Sequence, residues 1–220
     1  MTRIALIHAV EVAVDPVAAA FAQLWPEARC TNLLEDSLSP DRAAETGAIS
    51  STMSQRIGAL ADYAVLTGAD GILFTCSAFG PAIDLAGARL PVPVLKPNEA
   101  MFDDAMKSGR RIGMLATFGP AVDTMNAEFR DAASAAGIDA ELETLLVPHA
   151  LAALKIGDAE THNRLIAEMA PRLKHCDAIM LAHFSTSRAK AAVEEALGRE
   201  VFTSPTSAVT ALRDRLEQQR

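Results

Sequence analysis

The chain has 220 residues and a mass of 23.3 kDa, with 20 Lys and Arg against 28 Asp and Glu, so its formal net charge is −8. That acidic balance, with no Lys/Arg stripe, argues against a partner bound through a nucleic-acid backbone and against an anionic membrane surface. A chain this long buries roughly 70–75% of the surface its unfolded form exposes, so it builds a core without staples.

Short β-type runs alternate with alanine-rich helical stretches from end to end, the pattern of an α/β fold on parallel sheets. The first strand is expected over 3–8 and the first helix over 16–24. The residues up to Phe21 are largely apolar, but His8, Glu11 and Asp15 interrupt them and no basic stretch precedes them. A signal peptide is therefore not expected, and the location reads as cytoplasmic. Further strands are expected over 29–34, 71–76, 92–95, 111–117, 140–147, 178–183 and 201–203. Helices are expected over 52–67, 81–88, 100–108, 121–136, 159–174, 187–197 and 207–218. Gly71-Ile-Leu-Phe-Thr-Cys76 and Ala178-Ile-Met-Leu-Ala-His183 lack polar alternation, as in strands covered on both faces. Asp158 suits a helix N-cap, and Gly109 and Gly137 suit helix ends. Glu35-Asp-Ser-Leu-Ser-Pro40 reads as a solvated loop. No apolar run approaches the roughly 18–20 positions of a membrane span.

An internal repeat organises these elements. Arg3-Ile-Ala-Leu-Ile recurs as Arg111-Ile-Gly-Met-Leu at an offset of 108, and the run at 71–76 recurs at 178–183 at an offset of 107. Val94-Leu-Lys-Pro97 recurs as Phe202-Thr-Ser-Pro205, again at 108. Three matches in one order at nearly one offset describe two similar α/β halves of about 100 residues. Ligands of parallel sheets bind at the carboxyl ends of the strands. Two halves facing each other would enclose a cleft lined by the repeated strand ends: His8, Cys76, Thr117 and His183.

Cys76 precedes a turn, Ser77-Ala-Phe-Gly-Pro81, that leads into a helix, and a helix N-terminus lowers a thiol pKa toward neutrality. His183 holds the equivalent place in the second half, so an imidazole would face a thiol across the cleft, both able to move protons. Hydroxyls and backbone N–H groups in the turns at Ser77 and Ala78, Thr117 and Phe118, and Phe184 and Ser185 form a candidate carboxylate site. No Gly-rich phosphate loop is present. Cys30 and Cys176 read as structural, the odd cysteine count argues against disulfides, and His149, His162 and His175 show no ligand spacing, so no metal is expected.

Ile72-Leu-Phe-Thr-Cys-Ser77, Ile112-Gly-Met-Leu-Ala-Thr117 and Ile179-Met-Leu-Ala-His-Phe-Ser185, set in two half-repeats, resemble the aspartate/glutamate racemase superfamily. That superfamily also holds hydantoin racemases, maleate isomerases and arylmalonate decarboxylases. The resemblance implies two pseudo-symmetric α/β lobes, 1–97 with 205–220 and 98–204, the final helix returning to the first lobe. It also implies a cofactor-independent enzyme on a small carboxylate substrate, with Cys76 as the first of two catalytic cysteines. Ser77 and Thr117 match carboxylate-holding positions. His183 stands where the second cysteine belongs. Three readings follow: a racemase or epimerase with an unlike acid/base pair, a one-cysteine decarboxylase or cis–trans isomerase, or a non-catalytic small-acid binding protein. The alanine-rich helices are compatible with packing inside one chain or across a homo-oligomer.

Overall fold

Residues 1–219 are described by the computed structural model; Arg220, the last residue of the expected first lobe, lies outside them. The first half forms strands β1 (Arg3–His8), β2 (Arg29–Leu34), β3 (Gly71–Phe74) and β4 (Val94–Leu95). The second half forms β5 (Arg111–Ala116), β6 (Glu141–Leu146), β7 (Ala178–Leu181) and β8 (Phe202–Thr203). Each set makes one four-stranded parallel sheet, ordered β2-β1-β3-β4 and β6-β5-β7-β8. The repeat extends to register: Ile4 pairs with Gly71 as Ile112 pairs with Ala178. β3 and β7 are buried along their whole length, as their unbroken apolar runs require, while the edge strands β2 and β6 carry exposed positions.

Ten α-helices surround the sheets among the described residues: α1 (Val14–Leu24), α2 (Leu38–Ala44), α3 (Ser51–Leu66), α4 (Gly80–Gly87), α5 (Glu99–Ser108), α6 (Val122–Ala135), α7 (Ala150–Lys155), α8 (Ala159–Met169), α9 (Lys190–Leu197) and α10 (Ser204–Gln218). Asp158 caps α8 by accepting from the Thr161 N–H at 2.9 Å, and Gly137 follows α6 at φ +66°, a left-handed position that favours glycine. No helix among the described residues is long and apolar enough to cross a membrane.

Several boundaries differ from the sequence expectation. The strands expected to reach Cys76 and His183 stop at Phe74 and Leu181, so both residues sit in turns beyond their strands. The helix expected over 159–174 ends at Met169 and continues as a 3-10 turn over Ala170–Leu173, because Pro171 has no N–H for the helical ladder. The helix expected from 187 begins at Lys190, after a 3-10 turn at Ser185–Ala189. The expected loop at 35–40 instead opens α2, where Pro40 falls in the first turn and needs no N–H partner. α7, its counterpart in the second half, was also unexpected from the sequence.

One apolar cluster runs through both halves, joining Ile7, Ile72 and Phe74 of the first sheet to Ile112, Met114 and Met180 of the second. Phe102 of α5 meets Phe129 of α6 edge to face at 5.5 Å within it. A second cluster covers the outer face of the first sheet. There Val209, Leu212 and Leu216 of α10 pack with Ile4, Leu73 and Leu95. The chain therefore ends by returning to the sheet with which it began. Gly71 permits the approach, since a Cβ there would lie 3.1 Å from the Cδ1 atoms of both Leu212 and Leu216. Ser207 Oγ also donates to Asp104 Oδ2 at 2.7 Å, tying α10 to α5.

Leu212 is fully buried in this second cluster. Leu212→Ala is expected to cost about 2–5 kcal/mol of stability, read as a lower urea midpoint with a native-like m-value. An unchanged midpoint would show that α10 does not hold the first sheet.

Candidate active site

All strands of a parallel sheet point one way, so the turns that follow them gather at one edge. The two sheets bring these edges around one enclosed cavity. The first half lines it with Val10 and Ala13 beyond β1, Ser39 of α2, and Thr75, Cys76 and Ser77 beyond β3. The second half adds Thr117 and Phe118 beyond β5, Leu151 of α7, and His183, Phe184 and Ser185 beyond β7. The free volume is about 30 Å³, room for about one water, so a substrate requires the walls to part. Just past Ala13 and Ser185, Asp15 and Arg188 form an exposed ion pair between the halves at 3.2 Å. Exposed pairs contribute little, and this one sets only a weak barrier to opening.

Cys76 keeps part of its surface open, toward this cavity, yet burial pushes its thiol up to about 11. The Ala78 N–H, hydrogen-bonded to the sulfur, pulls the other way by less. This reverses the expected drop toward neutrality. α4 begins only at Gly80, beyond an intervening turn, and desolvation is the largest influence on the sulfur.

His183 adopts φ +71°, a left-handed conformation that costs a non-glycine residue roughly 1–3 kcal/mol. The turn is pinned by the buried Thr186, whose hydroxyl hydrogen-bonds to the His183 carbonyl at 2.8 Å and also contacts the Ala182 carbonyl. The ring accepts a hydrogen bond at Nε2 from the Phe118 N–H at 3.3 Å, and the Phe118 ring stands edge-on at 6.5 Å. A ring that accepts at Nε2 carries its hydrogen on Nδ1. Burial holds its pKa down at about 4, so the imidazole is neutral at neutral pH.

Ser77 Oγ and Thr117 Oγ1 are buried and have no hydrogen-bond partner in the structure. Such groups are uncommon in native proteins, and each costs about 1–3 kcal/mol. The two hydroxyls come from opposite halves and line the same cavity. Among the described residues, the lining includes no Asp, Glu, Lys or Arg.

Cys76, Ser77, Thr117, Phe118, His183, Phe184 and Ser185 are thus brought together. Two expected residues fall outside the lining. The Ala78 side chain packs in the apolar core, leaving only its N–H for the sulfur. His8 is buried behind the wall, with Nε2 at 2.9 Å from Asn32 Oδ1 and Nδ1 at 2.9 Å from Thr75 Oγ1. Burial lowers its pKa, so the neutral ring donates to Asn32 and accepts from Thr75, fixing the residue next to Cys76.

The family of Asp/Glu/hydantoin racemases matches residues 8–212. The chain belongs to this family. Among solved structures it is similar to a glutamate racemase from Bacillus anthracis, with a TM-score of 0.78 at 12% identity, covering 99% of this chain and 82% of the other. It is also similar to the Picrophilus torridus aspartate racemase, with a TM-score of 0.74 at 15% identity over 99% and 95% of the two chains. For an allantoin racemase from Klebsiella pneumoniae the TM-score is 0.73 at 16% identity, over 100% and 89%. At these identities the likeness establishes the shared two-lobed fold. No curated protein matches the chain by sequence.

Val10, Ala13, Ser39, Thr75 and Leu151 also line the cavity, although the sequence reading did not single them out. The repeat offers a signal for some of them. Val10 is the counterpart of Phe118 at the offset of 108, and Ser39 and Leu151 are related by an offset of 112 on the two unexpected helices.

The buried imidazole carries a stability signature within this family fold. A folded-state value near 4, against an unfolded value near 6.5, leaves the His183 contribution intact above about 6.5 and removes it as pH falls toward 4. His183→Gln is therefore expected to lose about 2 kcal/mol less than wild type between pH 7 and 5, measured by urea unfolding at both. Equal losses would mean that the ring is protonated in the folded state.

Proposed function

We propose that the protein is a cofactor-independent racemase- or epimerase-type isomerase acting at the α-carbon of a small carboxylate. The observation that carries this reading is the pair of partnerless hydroxyls, Ser77 Oγ and Thr117 Oγ1, contributed by opposite halves beside Cys76 and His183. A carboxylate would accept from both. Its α-carbon would then lie between a thiol and an imidazole, the opposed acid and base that inversion needs. One group takes the α-proton, the enolate forms against the hydroxyl donors, and the other group delivers a proton to the opposite face. In one direction His183 becomes imidazolium and Cys76 becomes thiolate. Exchange with solvent, or turnover in reverse, resets both.

The lining also supports a substrate class. Among the described residues, no acid stands in the cavity to receive an ammonium group and no Lys or Arg to receive a second carboxylate, while the adjoining pocket, which shares Val10, Ser39 and Phe118, carries Glu11, Asp36 and Lys155. The reading is therefore a small carboxylate whose apolar part packs against Val10, Phe118, Leu151 and Phe184, any further charge reaching toward that pocket.

One observation favours a second reading, in which Cys76 alone transfers the proton as a decarboxylase or cis–trans isomerase would require. The Nε2 lone pair of His183 is taken by the Phe118 N–H. For His183 to act as the base, that N–H must first be released, for instance to the bound carboxylate.

Deuterium exchange separates the readings. Small 2-substituted monocarboxylates in deuterium oxide are expected to exchange the α-proton and lose optical activity with wild type, followed by NMR and polarimetry. Cys76→Ala should lower inversion by at least ~100-fold, while His183 can still exchange the α-proton on its own face. Under the racemase reading His183→Gln also abolishes inversion. Under the one-cysteine reading, wild type fails to invert any of these acids and His183→Gln retains turnover of a malonate or a cis-alkene acid. Inversion, decarboxylation or isomerisation that continues undiminished in Cys76→Ala would refute the reading it belongs to.

A further inference from the structure

Away from the cavity, the second half carries a mixed donor set without a counterpart in the first. Glu143 lies on edge strand β6, and His175 and Cys176 lie in the segment that leads into β7. His175 Nε2 is 2.9 Å from Glu143 Oε2 and 3.7 Å from Cys176 Sγ, and the three donor atoms lie within 4.8 Å of one another. We propose that Glu143, His175 and Cys176 form a zinc site that fastens β6 to the start of β7, with the fourth position open to water.

The donor spacing is the first argument. Tetrahedral Zn²⁺ with bonds of about 2.3 Å to sulfur and about 2.0–2.2 Å to nitrogen and oxygen puts S and N ~3.6 Å apart and N and O ~3.4 Å apart. The S···N spacing of 3.7 Å fits, the N···O spacing of 2.9 Å must open by about 0.5 Å, and S and O, within 4.8 Å of each other, must settle at ~3.6 Å, so the ion enters by rotation of the two exposed side chains. The donor types are the second. One thiolate, one imidazole and one carboxylate suit a borderline cation such as Zn²⁺ better than Mg²⁺ or Ca²⁺, which prefer oxygen shells.

The backbone supplies a third argument. Gly113 of β5 is in register with Glu143, and a Cβ at Gly113 would lie 3.0 and 3.1 Å from Leu173 Cδ1 and Cβ and 3.2 Å from Cys176 Sγ. Glycine thus admits both the Leu173 side chain and the sulfur against the strand that carries the carboxylate's partner position. The repeat provides an internal control, because the equivalent positions of the first half are Ala5, Thr31, Gly68 and Ala69. The same fold is built there without a ligand, so it does not itself demand a histidine and a cysteine at these places. Burial, and next the Glu143 carboxylate, push the Cys176 thiol up, with Arg199 and Arg111 pulling the other way by less, so the ion itself must displace the thiol proton. On binding, the thiol proton passes to solvent and the His175–Glu143 hydrogen bond is replaced by two bonds to the ion.

Cobalt(II) is the probe, since a thiolate ligand gives a near-ultraviolet charge-transfer band that water and carboxylate ligands do not. Titrating the full chain with Co²⁺ is expected to develop this band to one equivalent, with added Zn²⁺ displacing it. The band should persist in Cys30→Ser and Cys76→Ser and vanish in Cys176→Ser. The exposed changes His175→Gln and Glu143→Gln, which leave the core intact, should each weaken binding at least ~10-fold and remove the Zn²⁺-dependent rise in Tm seen for wild type. Absence of the band in wild type, its survival in Cys176→Ser, or undiminished affinity in His175→Gln would overturn the proposal.

Discussion

Two parallel sheets meet carboxyl edge to carboxyl edge, and the desolvated seam between them sets the charge of both titratable side chains that line it. Cys76 is held as a thiol by a value near 11 and His183 as neutral imidazole by a value near 4. Ser77 and Thr117, in the same seam, hold hydroxyls without a protein hydrogen-bond partner. Under the proposed function, an anion would supply the missing acceptors and the hydroxyls would share the charge of an enolate. Closure of the seam also has a mechanical consequence. With room for about one water, binding must separate the walls, and between the halves near the cavity stands a weak exposed pair, Asp15 with Arg188.

The rest of the fold holds this seam in place. The shared cluster of Ile7, Ile72 and Phe74 with Ile112, Met114 and Met180 makes the halves one body beneath the cavity. The return of α10 onto the first sheet closes the chain on itself, and Gly71 marks the point of contact. Two non-glycine residues among those described have left-handed backbones, His149 at the start of α7 and His183, which Thr186 fixes inside the cavity. A residue kept in that conformation inside the cavity fits a functional position better than a packing one.

Much of this was legible in the sequence because the repeat is written in apolar strands. Pairing 3–7 with 111–115 and 71–76 with 178–183 was enough to align Cys76 with His183 and to bring Ser77 and Thr117 into one site. What escaped was set by tertiary surroundings. The Cys76 titration was misread because position beside a helix start is local, whereas burial by the opposite half is not. His8 ends a strand as its pattern predicts, but contact with Asn32 and Thr75 turns it behind the wall. α2 and α7 were hidden by Ser39-Pro40 and Pro148-His149, which read as loops although proline is tolerated at or before a helix start.

Burial by the opposite half governs Cys76 more than its place near a helix start. The rate of Cys76 alkylation by iodoacetamide across pH, followed by peptide mass spectrometry on folded protein, tests this directly. Modification is expected to be slow at neutral pH, with a rate that still climbs above pH 10, toward the value near 11. A rate that levels off near pH 7 would mean that the thiol is ionised inside the seam and that burial does not set its charge.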